Sequence, residues 1–199
     1  MSTAAIAARR RPLVLADVLP ATRVRDIALV CAGALLTVLG AQISIPIPPS
    51  PVPVTGQTLA VVIAGASLGM RRGAASQLLY VLLGLALPVY ADGASGPDVI
   101  WGATGGYLVG FVLAAALIGR LAELGADRQV AVAFVAFCAG QLAVFGIGVP
   151  WLKVSADLSW STAIHDGFAI FIVGGLIKAA LAAGLVPAAW RAVHRIDSR

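Results

Sequence analysis

Six apolar stretches alternate along the chain with short polar connections, and their lengths decide the fold class. A helix needs about 20 apolar residues to cross a hydrocarbon core of about 30 Å. Runs near that length cover residues 26–45, 73–90, 101–121, 130–150 and 167–190. The second stretch differs, because Pro46, Pro48, Pro49, Pro51 and Pro53 forbid helix up to about Val54. Only residues 57–69 can be helical before the Arg71, Arg72 pair, which gives about 20 Å at about 1.5 Å per residue. Backbone without helical hydrogen bonds is not tolerated bare against lipid, so the pattern predicts that Pro46 to Gln57 dips into the bundle and covers a site as a lid. The expected fold is an all-α integral membrane protein. Its six-transmembrane-helix bundle occupies residues 26–191, between a basic tail at 1–25 and a short tail at 192–199.

Composition agrees. The chain is 60% hydrophobic and 12% charged, where soluble domains run about 45–50% and about 25%, so a separate soluble domain has no room. The net charge of +5 reflects topology rather than nucleic-acid binding. With both termini on one side of the bilayer, every basic residue except Lys153 and Lys178 falls on that side, which by the positive-inside rule is cytoplasmic. Trp101, Trp151 and Trp160 mark the outer interface and Trp190 the inner one, as an aromatic belt does. Cys31 and Cys138 sit in apolar runs, where a free cysteine is commonly a small hydrophobe.

Two short motifs raise enzyme chemistry. Gly93 to Gly96 spells the G-x-S-G of rhomboid intramembrane serine proteases, and Gly65 to Gly69 matches G-x-S-x-G. A nucleophilic serine needs a histidine within hydrogen-bond reach. His194 falls on the wrong side and His165 at a span end, while Ser67 lies in a hydrophobic helix rather than a strand-to-helix elbow. No phosphate loop, H-E-x-x-H or metal-ligand spacing occurs, so no catalytic residue, metal or cofactor is expected and the chain does not hydrolyse ATP by itself.

The remaining polar residues converge on the outer half. Thr55 and Gln57 follow the prolines, Tyr90, Asp92 and Ser95 follow the third span, and Thr104 and Tyr107 open the fourth. Caps and turns also select threonine, aspartate and serine. Lys178 is a stronger signal. Set about 18 to 20 Å from either end of a continuous 167–190 helix, its ammonium costs about 2.5 to 3.5 kcal/mol on insertion scales and by default marks a site, the alternative being a lysine paired for structure. Gly174 and Gly175, one turn before it, leave room for a ligand or another backbone. Ala28 and Ala32 form a small-residue pair suited to close helix approach by a partner. Gly102, Gly106 and Gly110 read more simply as packing within the chain.

Pro51 to Leu59 (PVPVTGQTL), Leu87 to Gly93 (LPVYADG), Gly102 to Phe111 (GATGGYLVGF) and Gly174 to Ala180 (GGLIKAA), in this order on six spans, resemble the BioY family over about residues 25–192. These are biotin-specific S components of energy-coupling factor (ECF) vitamin transporters in prokaryotic cytoplasmic membranes. The resemblance implies biotin capture from outside by Thr55, Gln57, Tyr90, Asp92, Thr104, Tyr107 and Lys178. It also implies a transmembrane coupling subunit docked at Ala28 and Ala32, and two ATP-binding subunits. A self-sufficient small-solute transporter is the other transport reading. One position departs from the family pattern: many members read G-D-L-I-K, and here the acid is Gly175. Asp92 is then a candidate counter-ion for Lys178.

Overall fold

The computed structural model describes residues 13–197; Arg9, Arg10 and Arg11 of the expected basic tail, and Arg199, lie outside the described residues. Six principal helices form the bundle: α1 (Arg23–Ala41), α2 (Gln57–Leu68), α3 (Met70–Gly84), α5 (Gly105–Glu123), α6 (Val130–Ser155) and α8 (Ile172–Asp197). Two short helices, α4 (Pro97–Trp101) and α7 (Trp160–Gly167), lie in the outer connections. α1, α5, α6 and the α7–α8 stretch are each long and apolar enough to cross a membrane. As the prolines foretell, α2 is short, at 12 residues. The proline segment is closed by a two-residue antiparallel ladder of β1 (Ser44–Ile45) against β2 (Val54–Thr55). Ser50 anchors its tip, with Oγ donating to the Asp166 carbonyl at 2.8 Å.

α2 and α3 are separated only by Gly69, whose φ of 83° permits the sharp reversal. The Glu123 carboxylate accepts from the Met70 amide at 2.9 Å and caps α3. Near the same end Gly65 faces α5 so closely that a Cβ would lie 2.9 Å from the Ala115 carbonyl oxygen. The glycine row of the sequence likewise serves the chain's own packing, since a Cβ on Gly110 would stand 2.9 Å from Val144 Cα and one on Gly106 would overlap Trp151.

Several boundaries differ from the sequence expectation, each for a physical reason. The chain at 13–22 is not a loose tail: Val14 is 1% exposed and joins the inner core beside Ala16. The C-terminal segment from 192 continues α8 as helix to Asp197. α6 passes through Pro150 to Ser155, which sacrifices one backbone hydrogen bond and is tolerated in membrane helices. The continuous 167–190 helix breaks at Phe168 and a 3-10 turn at Ala169–Phe171, where the Gly167 carbonyl accepts from the Tyr107 hydroxyl at 2.9 Å. Trp190 is no interface anchor. It is 2% exposed, donates Nε1–H to Asp127 Oδ2 at 2.6 Å, and is covered by the Arg128 guanidinium 3.7 Å from the ring centroid.

Candidate functional site

At the end of the bundle opposite the Arg72, Asp127 and Trp190 contacts, a cavity of about 430 Å³ opens between the proline segment, the loop before α4, and α2, α5, α6 and α8. That volume suits a small molecule. Seven of the residues singled out in the sequence line it, Thr55, Gln57, Tyr90, Asp92, Thr104, Tyr107 and Lys178, while Ser95 does not.

They differ in what their polar atoms can offer. Thr55 Oγ1 donates to Gln57 Oε1 at 2.7 Å, Gln57 Nε2 donates to the Tyr80 hydroxyl at 2.7 Å, and Tyr80 donates to the Val89 carbonyl at 3.2 Å. This relay ties the start of α2 to the end of α3. Tyr90 donates to the Val81 carbonyl at 2.6 Å, Tyr107 to Gly167, and Thr104 to the Val99 carbonyl at 3.4 Å. The two tyrosines therefore present mainly ring faces to the cavity, while Asp92 stands exposed at its rim.

Lys178 retains donors. Its Nζ gives one hydrogen bond to Thr58 Oγ1 at 3.1 Å, and an ammonium has three N–H groups. Among the described residues no carboxylate lies within ion-pairing distance of it, so Asp92 is not its counter-ion. Because the helix restarts at Ile172, Lys178 sits six residues into α8, about 9 Å from its outer end rather than the roughly 18 to 20 Å expected of a continuous helix. The room expected at Gly175 is occupied: a Cβ there would lie 2.7 Å from Gln141 Oε1.

Sequence reasoning missed Thr58, Gln141 and the apolar wall of Phe111, Phe145 and Phe171. Phe145 is the hub of that wall, with ring centroids 6.2 Å from Tyr107, 5.2 Å from Phe168 and 6.0 Å from Phe171. A phenylalanine in an apolar span carries no distinguishing signal. Gln141 does, as an amide inside the apolar α6 run, which lipid-facing helix surfaces exclude. Neither serine motif pairs with a histidine among the described residues: Ser67 is within the last turn of α2, and the side-chain partner of His165 is Asp166, with Nδ1 2.6 Å from Oδ1.

The BioY family model matches residues 10–195. The biotin transporter BioY2 of Lactococcus lactis is 35% identical over 164 residues, covering 80% of this chain and 87% of that protein. The biotin transporter BioY of Thermotoga maritima is 40% identical over 149 residues, covering 74% and 85%. Among solved structures, a crystal structure of the S component for biotin from an ECF-type ABC transporter superposes with a TM-score of 0.79 at 25% identity, covering 86% of this chain and 95% of that one.

Proposed function

The chain belongs to the BioY family, and from that membership we propose that it captures biotin at the outer face of a cytoplasmic membrane as the S component of an ECF-type transporter. It is a transport protein and not an enzyme. The observation that carries the reading is the cavity itself, walled by aromatic rings, roofed by the proline segment and supplied with one ammonium that lacks a carboxylate partner among the described residues. The rings suit the apolar body and tail of biotin, and Lys178 supplies a donor for a carbonyl or carboxylate oxygen. Thr55, Gln57, Tyr90, Asp92, Thr104 and Tyr107 complete the proposed contacts. Prolines restrict the lid to few conformations, which lowers the cost of ordering it over the ligand.

We place both termini in the cytoplasm, since the described arginines gather at the end away from the cavity; labelling of a cysteine at Ser2 by an impermeant reagent in intact cells would refute this. The energy source lies outside the chain, in a coupling subunit and two ATP-binding subunits. The proposed docking face is α1, where Ala28 and Ala32 are exposed beside Val24, Ile27, Leu35 and Leu39 and let another backbone approach.

One experiment with two arms tests the reading. The purified chain, titrated with biotin and a panel of other vitamins, is expected to bind biotin saturably and to ignore the rest; failure to bind biotin overturns it. Vesicles carrying the chain are expected to take up biotin only with the partner subunits and ATP, and A28L/A32L to lose uptake while keeping binding. Uptake without partners would establish the self-sufficient transporter instead.

A further inference from the structure

The floor of the cavity holds a polar group whose hydrogen bonding is half complete. Gln141 is 5% exposed and projects from α6 toward α8. Its Nε2 donates to the Gly175 carbonyl at 2.8 Å. That bond fixes the amide's orientation, because the reverse flip would set two oxygens against each other. Oε1 is therefore an acceptor, and it is buried with no hydrogen-bond partner among the described residues. A buried acceptor without a donor is costly, and native structures keep few of them without a reason. Gln141 lines the same cavity as Lys178. Gly175 and Lys178 are three residues apart on α8, so they are neighbours on one helix face. The cavity floor thus holds an unpaired acceptor, covered in the ligand-free protein, packed on the helix face that carries Lys178.

Resting on the biotin reading above, we propose that Gln141 is a specificity-determining ligand contact: its Oε1 accepts an N–H of the ligand's cyclic urea while Lys178 donates to the carbonyl of that urea. A urea offers one acceptor oxygen between two N–H donors, so one such group can satisfy both a donor and an acceptor on the cavity floor. A carboxylate or ester ligand group offers no N–H and would leave Oε1 unpaired. Gly175 belongs to the same device. Without a side chain it leaves the space that the Gln141 amide fills, and any Cβ at that position would press on Oε1 from 2.7 Å.

The test is a calorimetric titration of the purified chain with biotin and with biotin methylated on either ureido nitrogen. The parent is expected to bind biotin and to discriminate against at least one N-methyl analogue by about tenfold or more, the scale of one neutral hydrogen bond. Gln141→Met, which keeps length and removes the acceptor, is expected to weaken biotin by about tenfold and to lose that discrimination. Gly175→Ala, which displaces the amide without altering it, should weaken biotin in the parent and have a smaller effect in the Gln141→Met background, as coupled positions do. A parent that does not bind biotin overturns the proposed function and this assignment with it. A parent that binds biotin, with affinity and discrimination unchanged in Gln141→Met or in Gly175→Ala, overturns the assignment alone and leaves Oε1 to a structural water.

Discussion

The inner and outer halves of the bundle are built from the same helices by opposite means. The inner core is rich in small side chains, among them Ala64, Ala66, Ala122, Ala133, Ala182 and Ala183, around Phe137 and Trp190, and three of its glycines face backbone: Gly65 meets Ala115, Gly73 meets Gly65, and Gly119 meets Gly69 and Met70. The outer core is aromatic, with Tyr80, Tyr90, Tyr107, Phe111 and Phe171. Three of its glycines make room for rings, Gly84 for Tyr90, Gly106 for Trp151 and Gly148 for Tyr107. Polar groups divide in the same way. Inside, Arg72 bridges Asp17 at 2.6 Å and Asp26 at 3.1 Å and hydrogen-bonds the Leu68 carbonyl at 2.8 Å, so charges close on one another. Outside, Lys178 and Gln141 keep capacity unused. Close backbone packing makes a rigid base, and bulky rings hold the other ends of the helices around a volume. Stability and ligand recognition are therefore separable, and substitutions in the two halves have different signatures.

The largest expected effect is on the inner half. Gly65→Leu places a side chain where a Cβ already lies 2.9 Å from the Ala115 carbonyl oxygen and 3.1 Å from its Cα, and two helix backbones cannot yield as a flexible side chain can. Overpacking of this kind costs about 1–3 kcal/mol and sometimes more. Gly65→Leu is expected to lose the monodisperse folded species in detergent chromatography, and biotin binding with it. Recovery of a parent-like melting temperature would show that the base is not rigid.

Next comes the outer half, where the ranking reverses. Lys178→Met keeps bulk and removes the charge. A charge-assisted hydrogen bond contributes about 1.5 to 3 kcal/mol, so biotin affinity is expected to fall about ten- to a hundredfold. The melting temperature of the ligand-free protein should hold or rise, since a buried ammonium without a carboxylate partner does not stabilise the fold. Unchanged affinity in a folded variant would make the lysine structural.

The contrast was partly legible in the sequence. Prolines at 46–53 set the start of α2 through local backbone chemistry, whereas its end is set by Gly69, and the Arg71, Arg72 pair expected to close it lies in the first turn of α3. The polar residues read as an outer cluster reach the cavity, Ser95 excepted, because topology alone brings span ends together. Depth was less legible: the break that leaves Lys178 near the outer end of α8 lies where a tertiary partner, the Tyr107 hydroxyl, meets the Gly167 carbonyl. Trp190 reads as an interface residue by type, yet Asp127 and Arg128, from a different connection, satisfy it in the core. The phenylalanine wall is invisible for a simpler reason. In a chain this apolar, lipid-facing and cavity-facing rings share one sequence signature.

The smallest expected effect tests whether the inner half influences binding at all. Asp127 is fully buried in the connection between α5 and α6, accepting from Trp190 Nε1 and lying 3.7 Å from Arg128 Nε. Burial holds its carboxyl above the ordinary carboxylate range, a tendency that the Trp190 hydrogen bond and the Arg128 charge oppose. A folded-state value raised above the unfolded one means that the native protein holds more protons between the two values, so stability falls as pH rises through that window and is level above it. Asp127→Asn keeps an acceptor for the indole N–H and cannot ionise. Its melting temperature is expected to lack the component of the parent's decline between about pH 4 and the raised carboxyl value. The difference should be a few degrees, since about 1 kcal/mol corresponds to about 2–4 °C for a chain of this size. Biotin affinity at neutral pH should match the parent, because Asp127 belongs to the base and not to the cavity. A parent-like pH slope in Asp127→Asn would assign the titration to another group, and a loss of biotin affinity would join the two halves that the packing keeps apart.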